Sequence, residues 1–352
     1  MRIVLLCMIG MPWWLDACNS IEPVPPVPPV DTTSHDFTWT VEFLGDGNSS
    51  VLSGVALVSD SLAFAVGEIF LRDSTGQFDL TRYNLAVWNG FRWDIRRLRY
   101  NGSPPAIKFA HAMSVSDVWL DPWFHWNGQE FVQLPIDPVF YGIGWNRMWG
   151  SGNTLYVGGE GGSIAYSSDH GVTWQKLSSG TTLPMRDIWG GLNPQTGERE
   201  VLAVSCDPFT SADRRILSIT GTTVTAISDN GISTALGGVW FSPGSAYFVT
   251  GGRIYRKSRV EEGAWSDALQ NQGISIQYMD AVRGTAPNDV FAAGANGDLL
   301  HYNGSTWKNF RDQTGLTNGV GEYFALAVKG DLVIAVGEDL GRGVVAIGRR
   351  VR

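Results

Sequence analysis

Seven segments of similar sequence recur along this chain, and their regular spacing limits the folds that it can adopt. Each is a run of apolar residues that ends in small ones. The copies are SLAFAVGE (61–68), DVWLDP (117–122), TLYVGGE (154–160), EVLAVSC (200–206), SAYFVTG (245–251), DVFAAGA (289–295) and DLVIAVGE (331–338). Gly67 and Gly337 lie 270 residues apart across six intervals, a mean period of 45 residues. Such a period, with four short strands per unit, is typical of a β-propeller.

Three further segments predict the hairpin that joins the outer two strands of a propeller blade. They are LAVWNGFRWDI (85–95), FHWNGQEFVQL (124–134) and LHYNGSTWKNF (300–310). Each places Asn-Gly between aromatic residues, which can pair across the two strands. Asn-Gly suits a type I′ turn, in which both central residues take positive φ. The segment SIAYSSDHGVTWQKL (163–177) occupies the same place in another repeat.

The two ends of the chain complement each other. The last repeat, from about residue 321, supplies three strands and then ends, whereas FTWTVEFL (37–44) resembles the fourth-strand pieces FRWDIRRL and STWKNF. We expect residues 37–44 to complete the last blade, which would remove open sheet edges that invite aggregation. The sequence therefore predicts one all-β domain over residues 37–352. It is a seven-bladed β-propeller of four-stranded antiparallel blades, with the N-terminal strand closing the last blade.

Composition agrees with a sheet protein and narrows the possible partners. Charged residues make up 17% of the chain, which contains 43 Gly and 15 Trp, and its formal net charge is −8. Nucleic acid is excluded as a partner because phosphate binding requires a basic face.

No cofactor or metal is expected from the motifs. The chain contains no HExxH, GxSxG or EF-hand pattern. Its histidines do not fall at metal-ligand spacing; they are His35, His111, His125, His170 and His301.

The N-terminus has the pattern of a secretion signal. Arg2 precedes an apolar stretch over residues 3–15, which is too short to span a bilayer. The following Leu-Asp-Ala-Cys resembles the bacterial lipobox, and this resemblance implies that Cys18 is lipidated. We therefore expect a lipoprotein signal peptide over residues 1–17, with plain secretion as the alternative.

A proline-rich linker follows the predicted lipid anchor. Five of the eight residues from 23 to 30 are proline, which favours polyproline II over sheet pairing. Residues 18–36 are thus predicted to be the lipidated cysteine and a spacer. Asn19 is not the Asp that retains many lipoproteins in the inner membrane, so the resemblance implies the outer membrane. Cys206 would then be the one unmodified cysteine of the mature chain, with no intrachain disulfide.

The segment SSDHGVTW (167–174) matches the Asp-box pattern S-x-D-x-G-x-T-W through Ser167, Asp169, Gly171, Thr173 and Trp174. The chain thereby resembles Asp-box propellers, namely sialidase-like folds and propellers of the photosystem II assembly-factor type. In those families the motif lies at the blade periphery, so the resemblance implies a structural role. We expect the Asp169 carboxylate to accept hydrogen bonds from amides of its own turn.

Two segments resemble the first strands of the assembly-factor propellers, which line the central channel. MRDIWGG (185–191) carries Arg186 and Trp189, and NRMWGSG (146–152) carries Arg147 and Trp149. These four residues are the candidate binding residues, and the arginines could meet an acidic partner. The alternative is that each arginine pairs with a neighbouring carboxylate at a blade junction.

Two functions follow from this sequence. The first is a non-catalytic, envelope-anchored propeller that binds a protein or glycan partner through its channel mouth or loop face. The alternative is a carbohydrate-active hydrolase or lyase of the sialidase-like type. Sialidases carry an Arg-Ile-Pro motif that does not occur here. A convergent carboxylate pair at one mouth with exposed tryptophans beside it would favour the enzyme, since glycosidases act through two carboxyl groups.

Overall fold

A computed structural model describes residues 31–351, apart from 208, 209, 211, 212 and 262. The predicted signal peptide, Cys18 and most of the proline-rich segment lie outside the described residues. In the part of the chain that is described, no helix has the length and hydrophobicity needed to cross a membrane.

The described chain forms seven four-stranded antiparallel sheets, as the sequence predicts. The chain enters through β1 (Phe37–Leu44), and the blades follow in chain order. Blade 1 contains β2 (Val51–Ser59), β3 (Leu62–Ile69), β4 (Tyr83–Trp88) and β5 (Trp93–Arg96). Blade 2 contains β6 (Ala110–Ser114), β7 (Asp117–Leu120), β8 (Phe124–Trp126) and β9 (Phe131–Gln133). Blade 3 contains β10 (Trp145–Ser151), β11 (Thr154–Gly159), β12 (Ile164–Ser167) and β13 (Gln175–Leu177).

Blades 4 to 7 repeat this arrangement. Blade 4 contains β14 (Met185–Leu192), β15 (Arg199–Cys206), β16 (Arg214–Thr220) and β17 (Thr223–Ile227), and blade 5 contains β18 (Leu236–Ser242), β19 (Ala246–Gly251), β20 (Ile254–Lys257) and β21 (Ser266–Asp267). Blade 6 contains β22 (Met279–Ala286), β23 (Asp289–Gly294), β24 (Leu299–Tyr302) and β25 (Trp307–Asn309). Blade 7 contains β26 (Glu322–Lys329), β27 (Leu332–Asp339) and β28 (Arg342–Arg350), together with β1. The short helices are 3-10 turns at Asp121–Trp123, Pro138–Phe140 and Glu160–Gly162, and an α-helix, α1, at Arg311–Thr314.

The N-terminal strand closes the ring, which confirms the prediction from the repeat count. Blade 7 has the order β1-β28-β27-β26, and β1 pairs antiparallel with β28 from Phe37↔Arg350 to Leu44↔Gly343. The preceding residues also belong to the folded part. Thr33 donates its hydroxyl to the Asn288 carbonyl at 2.7 Å, in the loop between β22 and β23. Thr33, within the segment predicted to be a linker, therefore packs on blade 6.

Glycines near the end of five of the seven second strands allow two backbones to approach closely. A Cβ on Gly251 would lie 1.8 Å from the Ala235 carbonyl oxygen, and one on Gly337 would lie 1.8 Å from that of Glu322. Atoms cannot approach so closely, so glycine is required where the second strand meets the start of the first. This contact explains why the repeat is recognisable in the sequence.

The core consists of apolar layers between blades. In the described part of the chain, buried apolar side chains form seven clusters, one between each pair of neighbouring blades. The second strands β11, β19 and β23 are buried along their whole length because a blade packs against each face. They therefore read as continuous apolar runs without polar alternation.

The Asn-Gly hairpins form, but the predicted type I′ turn is wrong. Gly90 has φ +95°, whereas Asn89 is not among the residues with positive φ. Asn89 instead accepts hydrogen bonds on Oδ1 from the amides of Phe91 and Arg92, each at 3.0 Å. Glycine thus stands at the first central position, as in type II′ turns. The same pattern recurs at 127–130 and 303–306.

Aromatic residues pair across each of these hairpins, as predicted. The ring centroids lie 5.4 Å apart for Trp88 and Trp93, and 5.1 Å apart for Tyr302 and Trp307. The paired rings therefore help the turn to fix the register between the third and fourth strands.

Candidate functional site

The first strand of every blade lines the central channel. Strands β2, β6, β10, β14, β18, β22 and β26 contact one another in ring order. A cavity of about 330 Å³ opens at the end where these strands begin, and we call this end the mouth. A smaller cavity of about 150 Å³ lies deeper along the same strands. The two share Ser53, Arg147, Asp280 and Phe324, so they are parts of one channel.

Backbone bulges determine which residues line the mouth. In six of the seven blades, the first strand carries a bulge near its start, where one residue drops out of the pairing with the second strand. These residues are Ser53, Asn146, Arg186, Gly237, Asp280 and Phe324, and all line the mouth. Because a bulge redirects the side chain of the extra residue, the ring of bulges sets the chemistry of the mouth.

The bulge also corrects the sequence comparison of the two arginines. In β14 the bulged residue is Arg186 and Asp187 follows it. In β10 the bulged residue is Asn146 and Arg147 follows it. Arg147 is thus equivalent to Asp187 and not to Arg186, because matching the segments by their arginines shifted one strand by a residue. Both arginines nevertheless line the mouth.

Arg186 faces two carboxyl groups across the mouth. Its Nη2 lies 4.0 Å from Asp280 Oδ1. Asp280 is in turn hydrogen-bonded to Glu322, so two carboxyl groups meet at one point. Burial raises the pKa of Asp280, and the Glu322 charge raises it further, against the opposing effect of Arg186 and Arg147. Asp280 therefore holds a proton near neutral pH, as one member of a close carboxyl pair does.

Arg147 spans the channel towards blade 7. Its Nη2 donates to the Phe324 carbonyl at 3.1 Å, and its Nη1 donates to the Asn146 carbonyl at 2.8 Å. Burial lowers the pKa of Arg147, and the charge of Asp187 counteracts this. An arginine stays protonated under such conditions. The mouth therefore combines Arg147, Arg186 and Lys108 with a protonated Asp280, while Glu68, which pairs with Arg82, and Glu160 also line it. The positive groups outnumber the charged carboxylates, which favours a negatively charged ligand.

A buried ion pair lies deeper in the channel. Arg283 Nη1 and Nη2 contact Asp187 Oδ2 and Oδ1 at 2.7 and 2.9 Å, and the Val239 amide donates to Oδ2 at 3.0 Å. This bidentate pair links blades 4, 5 and 6. The Arg283 guanidinium also lies 4.8 Å from the centroid of Trp189. Trp189 consequently faces the deeper cavity.

The structure separates the four candidate binding residues. Arg147, Arg186 and Trp189 line the channel, whereas Trp149 is 4% exposed and stacks near Tyr156 between blades 3 and 4. Its position removes Trp149 from the candidate site. The blade-junction alternative describes Arg186 in part, since its ion pair with Asp280 is long.

Sequence reasoning did not identify the acidic side of the mouth. Asp280 in MDAVRG and Arg186 in MRDIWG stand at the same position of the repeat, immediately after a methionine. Aligning the repeats by that methionine would have placed Asp280 at the bulge. Glu322 begins β26 and has no matching signal.

The residues of the Asp-box form a closed turn between β12 and β13. Asp169 Oδ1 accepts from the Thr173 amide at 2.9 Å and from the Ser167 hydroxyl at 2.8 Å, while Oδ2 accepts from the Thr173 hydroxyl at 2.6 Å. These bonds lower the pKa of Asp169 to about 2. Gly171 has φ +81°, and Trp174 Nε1 donates to its carbonyl at 3.1 Å. The predicted structural role of Asp169 fits these bonds and stays a prediction.

No protein-family model and no curated protein sequence matches this chain. Solved structures do share its fold. A structure described as YCF48 bound to D1 peptide is 18% identical, covers 93% of this chain and 100% of its own, and gives a TM-score of 0.63.

Two further structures are similar at lower identity. YCF48 from Cyanidioschyzon merolae is 12% identical over 89% of this chain and 98% of its own, with a TM-score of 0.59. The WD40 β-propeller domain of Doa1 is 12% identical over 90% and 98%, with a TM-score of 0.61. At these identities the likeness shows the seven-bladed fold alone.

Proposed function

We propose that this protein is a non-catalytic binding scaffold whose channel mouth holds an acidic segment of a protein partner. The observation that carries the proposal is the pair of guanidinium groups at the mouth. Arg147 and Arg186 face a cavity of about 330 Å³, and the Asp280 carboxyl group opposite them is protonated near neutral pH. A guanidinium offers five N–H donors and binds carboxylates in a bidentate manner.

The size and shape of the mouth support a peptide ligand. A cavity of this volume lies at the lower end of the range for ligand sites. It accommodates a few side chains or a chain terminus. One structure of the same fold contains YCF48 with a D1 peptide, so a propeller of this kind can hold a peptide. We therefore favour a peptide over a glycan as the ligand.

Direct binding measurements test the mouth. A fluorescent peptide with acidic residues and a free C-terminal carboxylate should bind the full chain, and its amidated, neutral counterpart should bind less tightly. Arg186→Gln should weaken binding of the acidic peptide roughly tenfold or more, because hydrogen bonds to charged groups contribute about 1.5–3 kcal/mol. Raised salt should weaken it as well.

Arg96→Gln provides a matched control. Arg96 lies on β5, pairs with Asp94 at 3.7 Å and is 56% exposed, far from the mouth in its blade. This variant should bind like the parent protein. Equal affinity of the Arg186 variant and the parent for the acidic peptide would contradict the proposal.

We further propose that the propeller is held at the bacterial outer membrane by a lipid on Cys18. The support is the lipobox-like sequence before Cys18 and the proline-rich stretch after it. In a bacterial host, a Cys18→Ser variant should move from the membrane fraction to the soluble fraction. Cys206→Ser is the control, because Cys206 is buried in the propeller. Membrane association that survives Cys18→Ser would refute the anchor.

The carboxyl pair at the mouth supports a second candidate, a carbohydrate-active enzyme. Asp280 and Glu322 converge as such an enzyme requires, but they are hydrogen-bonded to each other. Glycosidase carboxyl groups stand about 5–9.5 Å apart to flank the bond. No tryptophan among the described residues is exposed beside them. Release of reducing sugar from a polysaccharide panel, abolished in Glu322→Gln, would favour the enzyme over the scaffold.

A further inference from the structure

Three residues that are scattered in the sequence meet at the channel end opposite the mouth. Asp117 is the first residue of β7, and His125 lies on β8 of the same blade. His170 belongs to the Asp-box turn between β12 and β13 of the next blade. In each blade the second strand begins at the end away from the mouth. The turn between the third and fourth strands lies at that same end. We call these three residues the blade-2 cluster.

The potential ligand atoms of the blade-2 cluster converge on one point. His125 Nε2 lies 2.9 Å from Asp117 Oδ1, and His170 Nε2 lies 3.0 Å from Asp117 Oδ2. One ligand atom from each residue lies within 4.8 Å of the other two. In a tetrahedral zinc site with bonds of about 2.0–2.1 Å, neighbouring ligand atoms stand about 3.3 Å apart. Small side-chain rotations therefore suffice to admit an ion.

Charge at the cluster favours a cation. Both oxygens of the Asp117 carboxylate point into the cluster, one towards each histidine. Across the described residues, neither arginine nor lysine forms an ion pair with it. The cluster thus presents two imidazoles and one carboxylate, the donor set of the His₂-carboxylate sites of zinc enzymes.

The surrounding fold holds His170 in place. Its φ of +59° is uncommon for a residue with a side chain, and its amide donates to the Asn153 carbonyl at 2.8 Å. The next amide, of Gly171, donates to Ser167 Oγ at 2.9 Å. Backbone conformations of this kind persist where the surroundings fix them and occur often at functional sites. The Asp-box therefore aims the His170 ring at the neighbouring blade.

Tryptophan forms the inner wall of the cluster. The Trp119 ring lies 5.1 Å from His125 and 5.6 Å from His170, measured between centroids. The outer side is open, since the side chain of His170 is 34% exposed. An ion here would have three protein ligands and one position open to water or to a group from a partner.

We propose that Asp117, His125 and His170 bind one Zn²⁺ ion, with the fourth coordination position open. Zinc fits because it accepts imidazole nitrogen and carboxylate oxygen and is most often four-coordinate. Calcium and magnesium prefer oxygen ligands and do not suit two imidazoles. In the metal-free protein each Nε2 is hydrogen-bonded to Asp117, so to bind the ion each ring takes the tautomer that carries its proton on Nδ1. The site is separate from the mouth and independent of the function proposed for it.

Titration of the tag-free, full-length protein with Zn²⁺ alone tests this site. After treatment with a chelator, we expect one ion per chain, a raised melting temperature, and no competition from excess Mg²⁺ or Ca²⁺. His170→Asn removes a ligand atom but keeps a residue that tolerates positive φ. It should weaken zinc binding by roughly a hundredfold or more, since even second-shell groups are worth about 10–100-fold.

His35→Asn is the matched control, because His35 is also half-buried and contacts another histidine, but it lies just before β1 and packs on blade 6. It should keep the affinity of the parent protein. Circular dichroism of each variant without metal checks that it is folded. Three results would each overturn the proposal: no stoichiometric zinc in the parent, unchanged affinity in folded His170→Asn, or an equal loss in folded His35→Asn.

Discussion

Two places in this ring hold the same set of three side chains, one aspartate and two histidines, but differ in what surrounds them. In blade 6, Asp289 begins β23 and His301 lies on β24, as Asp117 and His125 do in blade 2. Each cluster also receives a histidine from the next blade. In blade 6 this is His35, just before the closing strand β1; we call Asp289, His301 and His35 the blade-6 cluster.

The blade-6 cluster is saturated by protein groups. Asp289 accepts from His301 Nε2 at 2.9 Å, from the Thr285 hydroxyl and from the Arg350 guanidinium. His301 is fully buried, and its Nδ1 lies 2.9 Å from that of His35. The charge of Arg350 neutralises that of Asp289. The cluster thereby links His35, just before β1, to Arg350 at the end of β28. Asp117 has no such guanidinium among the described residues, so the comparison teaches that one arginine separates a structural cluster from a cation site.

The largest effect is expected from removing the strand beside the blade-6 cluster. Deletion of residues 37–44 should leave β28 unpaired and remove the connection to His35, which would cause aggregation or loss of a cooperative unfolding transition. Deletion of residues 19–30 should leave the unfolding transition unchanged. Size-exclusion chromatography and urea unfolding measure both. Identical behaviour of the two deletions would show that closure by β1 does not stabilise the ring.

The next effect separates the two aspartates. Asp289→Ala should lower the free energy of unfolding by about 3 kcal/mol, because it removes the acceptor of buried His301 and one of the two carboxylates that Arg350 contacts. Asp117→Ala should lower it by only about 1 kcal/mol in metal-free protein, because its histidine partners are partly exposed. Urea unfolding of both variants with chelator present tests the difference. A larger loss from Asp117→Ala would invert the assignment of the two clusters.

Acid should weaken the blade-6 cluster. Burial, together with the charges of His301, Lys308 and Arg350, lowers the pKa of His35 from 6.5 to about 4. The unfolded chain therefore binds a proton first as the pH falls, so stability present above about pH 6.5 is lost towards about pH 4. Burial lowers the pKa of His301 in the same direction.

The pH dependence can be assigned with one variant. Unfolding free energies of metal-free protein, measured across this range, should decrease with acid in the parent and decrease less in His35→Asn. A parent protein whose stability is constant or rises as the pH falls would contradict the expected neutral state of these histidines.

The smallest effect concerns Asp169, whose hydrogen bonds close the turn that contains His170 of the blade-2 cluster. Asp169→Ala should lower the melting temperature by a few degrees, because the Thr173 amide and hydroxyl lose their acceptor. Since the turn positions His170, zinc affinity should also fall, by about tenfold. Asp169→Asn should do less, because it keeps one carbonyl acceptor. Unchanged zinc affinity in Asp169→Ala, with a lowered melting temperature, would show that the turn does not position the ligand.

The repeat pattern predicted most of the fold, but it did not predict the conformation of some single residues. The strand predicted over 117–122 ends at Leu120, because the buried Asp121 takes φ +47°. Its carboxylate accepts the amides of Lys108 and Phe109 at 2.9 and 3.0 Å. A tertiary contact thus ends a strand that apolar sequence alone would extend.

The candidate site was predicted only in part, because its residues depend on bulges. Arg147 and Arg186 were named from a shared arginine, yet they occupy different positions in their strands. A bulge inserts one residue into one strand, and a one-residue shift changes which face a side chain takes. Local sequence carries no such register, so matching the two arginines placed their segments one residue out of step. Trp149 and Trp189 occupy equivalent positions, and Trp149 is buried because it packs between blades 3 and 4.

What the sequence determined by itself was the ring: seven repeats, the glycines that end the second strands, and an N-terminal strand that completes blade 7. These features are local or periodic, and each must be satisfied within one or two blades. Only the tertiary structure decided which charged groups meet. Asp280 and Glu322 come from neighbouring blades, and His170 approaches His125 across 45 residues of chain. The energies of such pairs depend on the distance between the charges and on their burial in the folded protein. The order of residues along the chain specifies neither quantity.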